Sequence, residues 1–167
     1  MDEKADNLNI SDQDRKKKKR LKTPVRISWQ VETEEDGWLP MVDDPLDSAG
    51  IAGHCITGVA MKVSIGSIRY RAHISGGTWL PFVTGCNRRD YRDGFAGNGL
   101  YIDLIEIYYQ TPEKLVDTEG YQKAKYRVSA LNQPFFPWQL DDDISRGQDG
   151  YAGVFGMPID RLQIQIV

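Results

Sequence analysis

Acid–base chemistry in this chain would start from its two histidines, His54 and His73. His73 stands in an alternating strand and His54 adjoins a turn, and neither sits in a recognisable catalytic frame. No G-x-S-x-G, H-E-x-x-H, P-loop or G-x-G-x-x-G occurs. Acids are plentiful, and a glycosidase needs only two carboxylates about 5–9 Å apart, but a short repeated frame is a poor host for such a site. Asp141-Asp142-Asp143 followed by Asp149 are hard oxygen ligands of the kind calcium takes. The spacing DDDISRGQDG fits neither the EF-hand loop nor the glycine-rich calcium nonapeptide, so it reads as a solvated acidic loop. Cys55 and Cys86 form no C-x-x-C and have no histidine at metal-ligand spacing, which predicts two unpaired thiols. The expectation is a protein with no catalytic residue, no metal and no cofactor.

Binding chemistry is better represented. Arg88, Arg89, Asp90, Tyr91 and Arg92 form a polar loop in an aromatic setting, where forked hydrogen bonds could hold a polar or anionic ligand. Tyr91 is the leading contact residue, with Arg89 and Asp93 beside it. Asp93-Gly94 and Asp149-Gly150 are turn dipeptides by chemistry. Asp149 and Tyr151 join the candidate ligand-binding set if these carboxylates grip hydroxyls beside an aromatic ring. Trp29 has no counterpart opposite Ala72 or Ser129, which predicts an exposed aromatic residue. By contrast, Trp38, Trp79 and Trp138 recur at one position each, beside Pro40, Pro81 and Pro137, and read as structural anchors buried in a shared core.

The elements that must position these residues are legible as repetition. Residues 25–64, 67–109 and 123–167 each open with an alternating strand and pass a Trp-Pro turn. Each then reaches an Ala-Gly step (Gly53, Gly97, Gly153) and closes on a second alternating strand. Residues 110–122 read as an inserted loop. Ser64-Ile65-Gly66-Ser67 is a tight turn joining the first two segments as a hairpin. Segments of about four short strands cannot bury an apolar face alone, so three of them are expected to share a core about a pseudo-threefold axis. The pattern long-short-short-long favours a β-trefoil, with a three-sheet β-prism as the alternative. Residues 24–167 are expected to form a single all-β domain.

The aromatic strand Tyr70 to Trp79, the D-G-aromatic-A-G steps at 93–97 and 149–153, and the I-D continuations at 102–105 and 159–162 resemble the clostridial hydrophobic-tryptophan repeats. They are similar to the triple-repeat modules at the ends of bacterial cell-wall hydrolases. The resemblance covers about residues 25–167 and implies non-catalytic attachment to a cell-wall polymer or surface glycan. The first segment departs from it, with Ala49-Gly50 for Asp-Gly and Thr57-Gly58 for the Ile-Asp continuation.

Composition sets the outer bounds. The chain has 167 residues, 40% of them hydrophobic and 27% charged, with 16 glycines and eight prolines, too many for a helical bundle. No apolar run approaches the roughly 20 residues that span a bilayer. Residues 1–23 carry +3 and the remainder -6. An acidic body argues against nucleic-acid binding, and the basic segment reads as a disordered tail. Its run Arg15 to Arg20 has three readings: a solvated linker, a nuclear address, or attraction to an anionic polymer or membrane. No signal peptide precedes the body. This places the chain in the cytoplasm until release by lysis, or at the wall as part of a larger secreted protein. The alternative function is an intracellular interaction module of inhibitor or immunity type.

Overall fold

Alternation becomes strand where one face of a pleated chain must leave water. In strand β1 (Ile27–Thr33) the residues Ile27, Trp29, Val31 and Thr33 are buried, and those between them are half-buried. The computed structural model describes residues 24–141 and 150–167, and the expected tail, residues 1–23, lies outside them together with Asp149. The strands that follow are β2 (Gly37–Trp38), β3 (Ala49–Gly50), β4 (Ile56–Val63), β5 (Ser67–Ile74), β6 (Ala96–Gly97) and β7 (Ile102–Gln110). After one short helix, α1 (Glu113–Glu119), come β8 (Ala124–Ala130), β9 (Gln139–Leu140), β10 (Tyr151–Gly153) and β11 (Ile159–Ile166). Among the described residues the fold is therefore all-β apart from α1, which falls in the expected inserted loop. There the Thr111 hydroxyl accepts the Gln122 N–H at 2.8 Å and closes the excursion.

The described residues form three sheets, in the orders β2-β1-β4-β6, β10-β7-β5 and β3-β11-β8-β9. Each is built on two long antiparallel strands of one segment, with Trp29 opposite Met61, Tyr70 opposite Ile107 and Tyr126 opposite Ile164. The short strand beside them comes from another segment. Ala96 pairs with Val59, Ala152 with Ile105, and Ala49 with Leu162. The second segment thus supplies the first sheet, the third supplies the second, and the first supplies the third. Glycine is needed in each short strand because the strands approach so closely. A Cβ on Gly50, Gly97 or Gly153 would stand 2.0, 2.4 or 2.2 Å from the carbonyl oxygen of Asp160, Thr57 or Asp103. This corrects the sequence alignment, since Ala49-Gly50, not Ala52-Gly53, matches the other two steps. Gly53 instead donates its N–H to Asp160 Oδ2 at 2.8 Å.

Trp29, Tyr70 and Tyr126 are the largest side chains removed completely from water. Trp29 is therefore a core residue, contrary to the expected exposed one, and its counterparts are the two tyrosines. Each uses its polar end to reach the last strand of another segment. The Trp29 indole donates to the Leu162 carbonyl at 2.9 Å, and Met61 and Ile107 donate their N–H groups to the Tyr70 and Tyr126 hydroxyls at 3.3 and 3.1 Å. Burial pushes both hydroxyls far above the ordinary tyrosine range.

The expected anchors lie elsewhere. Trp38, Trp79 and Trp138 are half-buried at the surface, outside the core cluster. Trp138 does not match the other two. Glu32 opposes Trp38, His73 opposes Trp79, and Ser129 opposes Phe135. The common feature is an aromatic residue two places before proline. In each case the intervening residue (Leu39, Leu80, Phe136) donates its N–H to the first strand at 2.9 Å. Among the described residues no helix is long and apolar enough to cross a membrane.

Candidate functional site

Residues between the buried positions of β1, β5 and β8 face outward, and one cross-strand position decides the surface chemistry of each sheet. Gln30 opposes Ala60, Arg71 opposes Glu106, and Arg127 opposes Gln163.

In the second sheet this position is an ion pair. Arg71 Nε and a terminal nitrogen both reach Glu106 Oε2 at 2.7 Å, while Glu106 Oε1 accepts the Tyr108 hydroxyl at 2.6 Å. The guanidinium, so held, lies 4.3 Å from the Trp79 ring centre and 4.6 Å from that of Phe82. Trp79 also meets His73 at 5.3 Å and Tyr151 at 5.9 Å, and Phe155 closes on His73 at 4.9 Å. Behind this cluster the fully buried Asp103 accepts from His73 Nδ1 at 2.7 Å and from the Gly156 N–H at 2.8 Å.

Asp160 plays the same part in the third sheet. It accepts the Ser129 hydroxyl at 2.6 Å and the Gly53 and Asn132 N–H groups at 2.8 Å each. Burial alone would raise its carboxyl. The bonds from Ser129, Gly53, Asn132 and Arg161 outweigh that and hold it below the ordinary carboxylate value. The I-D aspartates are thus clips that fasten one segment's loop to another. In the first segment the carboxylate changes strand, because Thr57 stands in the aspartate's place and donates to Glu32 Oε1 at 3.1 Å.

The first sheet has no arginine at this position. Among the described residues no cation stacks on Trp38, which instead meets the Phe95 edge at 5.4 Å, and Phe95 meets Tyr91 at 5.8 Å. These rings, with Glu32, Arg88 and Asn98, line an open cavity of about 550 Å³.

Several expected site residues therefore separate. Tyr91 is 88% exposed and borders the cavity. Arg89 is exposed in the same loop, but Arg88 is the arginine that lines the cavity. Asp93 is engaged locally, accepting the Thr84 hydroxyl and N–H at 2.7 Å each, and these bonds hold its carboxyl below the ordinary value. Tyr151 belongs to the Trp79 cluster. Cys55 and Cys86 are free thiols, as expected, and burial pushes both upward. Sequence reasoning missed Arg71, Phe82, Arg127, Phe135 and Phe155. The signals were present in the doubled Tyr-Arg of Tyr70-Arg71 and Tyr126-Arg127, and in the prolines, which align Phe135 with Trp79.

Comparisons with protein-family models, with curated proteins and with solved structures find no match for this chain.

Proposed function

We propose that the chain is a non-catalytic module that binds a carbohydrate or cell-wall polymer, with the cavity between Trp38, Phe95 and Tyr91 as its principal site. The observation that carries this reading is the uncovered Trp38. An aromatic ring that lines one cavity with Tyr91, Glu32, Arg88 and Asn98 offers an apolar surface to the C–H face of a sugar, and the polar residues offer hydrogen bonds to its hydroxyls. The resemblance to modules of bacterial cell-wall hydrolases favours peptidoglycan or an associated polymer. The architecture fits three equivalent units about a pseudo-threefold axis. Three separate sheets, each completed by a strand from another unit, favour the prism over the trefoil.

The test is retention on purified bacterial cell walls, with a glycan array beside it. Trp38→Ala and Tyr91→Ala are expected to lose retention while keeping the parent's circular dichroism and melting profile. If the parent binds neither walls nor any arrayed glycan, the reading fails, and capture of a defined protein partner would favour the interaction-module alternative.

A further inference from the structure

The third sheet repeats the arginine–aromatic arrangement of the second with its charge unbalanced. Arg127 takes the place of Arg71, and its guanidinium lies 4.3 Å from the Phe135 ring centre and 4.4 Å from that of Trp138. Its cross-strand partner is the amide of Gln163, whose Oε1 accepts from Arg127 Nε at 2.9 Å, where Arg71 has the carboxylate of Glu106. Among the described residues no carboxylate pairs with Arg127. Two further cations flank it. Lys125 Nζ lies 4.8 Å from the Trp138 ring centre, and the Arg161 guanidinium lies 4.9 Å from that of Phe135. The result is an alternating row of Lys125, Trp138, Arg127, Phe135 and Arg161.

Among the described residues, Asp160, Asp44 and Asp47 are already occupied. Asp160 touches Arg161 at 3.3 Å but is saturated by Ser129, Gly53 and Asn132. The loop that reaches β11 through the Pro45 carbonyl carries Asp44 and Asp47, which accept the backbone N–H groups of Leu46 and Ser48. Asp43 lines a different cavity, with Arg26 and Lys62. Among the described residues the row thus holds three cations against one satisfied carboxylate. Cations cover its aromatic faces, which obstructs stacking by a neutral sugar. Arg161 is held by Ser129, Asp160 and the Gln133 carbonyl, so the terminal nitrogens of Arg127 are the ones suited to a carboxylate or phosphate.

We infer that the row Lys125–Trp138–Arg127–Phe135–Arg161 is an anion-selective subsite that takes the carboxylate or phosphate groups of an acidic glycan. The inference rests on the glycan-binding reading for the kind of polymer, and on the row itself for the anion.

Three probes separate the outcomes: an oligogalacturonate, an oligo(glycerol phosphate) and neutral chitotriose. Each is titrated into the full chain while the indole N–H resonances of Trp38 and Trp138 are followed by NMR. One or both acidic probes are expected to move the Trp138 resonance, and chitotriose is not. Whichever acid acts identifies carboxylate or phosphate as the ligand group. Gln163→Glu restores the neutralised pair of the second sheet and leaves the Pro45 carbonyl its bond from Gln165. It should weaken the acidic probe about tenfold or more while circular dichroism shows the fold kept, the lost bond from Gln163 to the Pro45 carbonyl lowering the melting temperature only slightly. Arg127→Gln should do the same. If neither acid moves Trp138, or if Gln163→Glu binds as the parent does, the subsite is overturned. Chitotriose shifts at Trp38 would then still uphold the glycan reading. Acid binding at Trp138 without any wall or glycan retention would uphold the subsite and sink that reading.

Discussion

The indole N–H of Trp29 donates to the carbonyl of Leu162 at 2.9 Å, 133 residues away in sequence. One bond thus fastens the first strand of the chain to its last strand through the centre of the core. Trp29→Ala removes a fully buried ring and leaves that carbonyl without its partner. It should cost about 3–5 kcal/mol. Trp79→Ala removes a half-buried surface ring and should cost less. Denaturant midpoints of the two variants check the order, and the reverse order would mean that core and surface are misassigned.

Gly153 and Gly156 separate close approach from backbone strain. Both have positive φ, but a Cβ at Gly153 would meet the Asp103 carbonyl at 2.2 Å, while nothing lies within 4 Å of one at Gly156. Gly156→Ala should therefore cost about 1–2 kcal/mol, the strain alone. Gly153→Ala should cost clearly more, because β10 must separate from β7. Equal melting temperatures for the two variants would contradict the pairing.

Two groups should shape the pH dependence of stability in opposite ways. The folded-state value of Asp160 lies below its ordinary 3.8. Its contribution is therefore complete above that value and is lost as pH falls through the depressed folded value. Asp160→Asn should flatten the acid limb of a stability–pH curve. His54 has the opposite sign. Its Nδ1 lies 2.6 Å from Asp36, whose hydrogen bond raises the histidine above its ordinary 6.5. That contribution is present below pH 6.5 and disappears as pH rises through the raised value. His54→Gln should remove this alkaline decline; it also takes away the bond that most lowers the Asp36 carboxyl, so the acid limb loses the Asp36 part and keeps that of Asp160.

Gln30 stands where Arg71 and Arg127 stand in the other sheets. Gln30→Arg should place a guanidinium on Trp38, close its aromatic face and abolish retention on cell walls with little change in melting temperature. Retention equal to the parent's would mean that Trp38 is not the ligand platform.

The β class and the long strands were legible because each rests on local pattern, but the turn at Ser64–Ser67, expected to close a hairpin, joins β4 and β5 of two different sheets. Alternation such as Tyr70-Arg71-Ala72 reports a half-buried strand wherever it occurs. Trp29 was misread because an aromatic residue carries the same local signal inside and outside. Only its register opposite Met61 places it at the centre. The Ala49-Gly50 step was missed for a similar reason, since Ala52-Gly53 offers the same dipeptide three residues on.

By itself, the sequence determined which residue types alternate and where the chain turns; that glycine is required at the short strands followed only from how closely they approach their partners. Tertiary structure alone decided which segment completes which sheet, and which arginine faces a carboxylate. Those choices depend on groups brought together from distant positions. Glu106 neutralises Arg71 across 35 residues, and Gln163 leaves Arg127 charged across 36. Charge balance at a surface is a property of spatial neighbours, and a linear pattern records only neighbours along the chain.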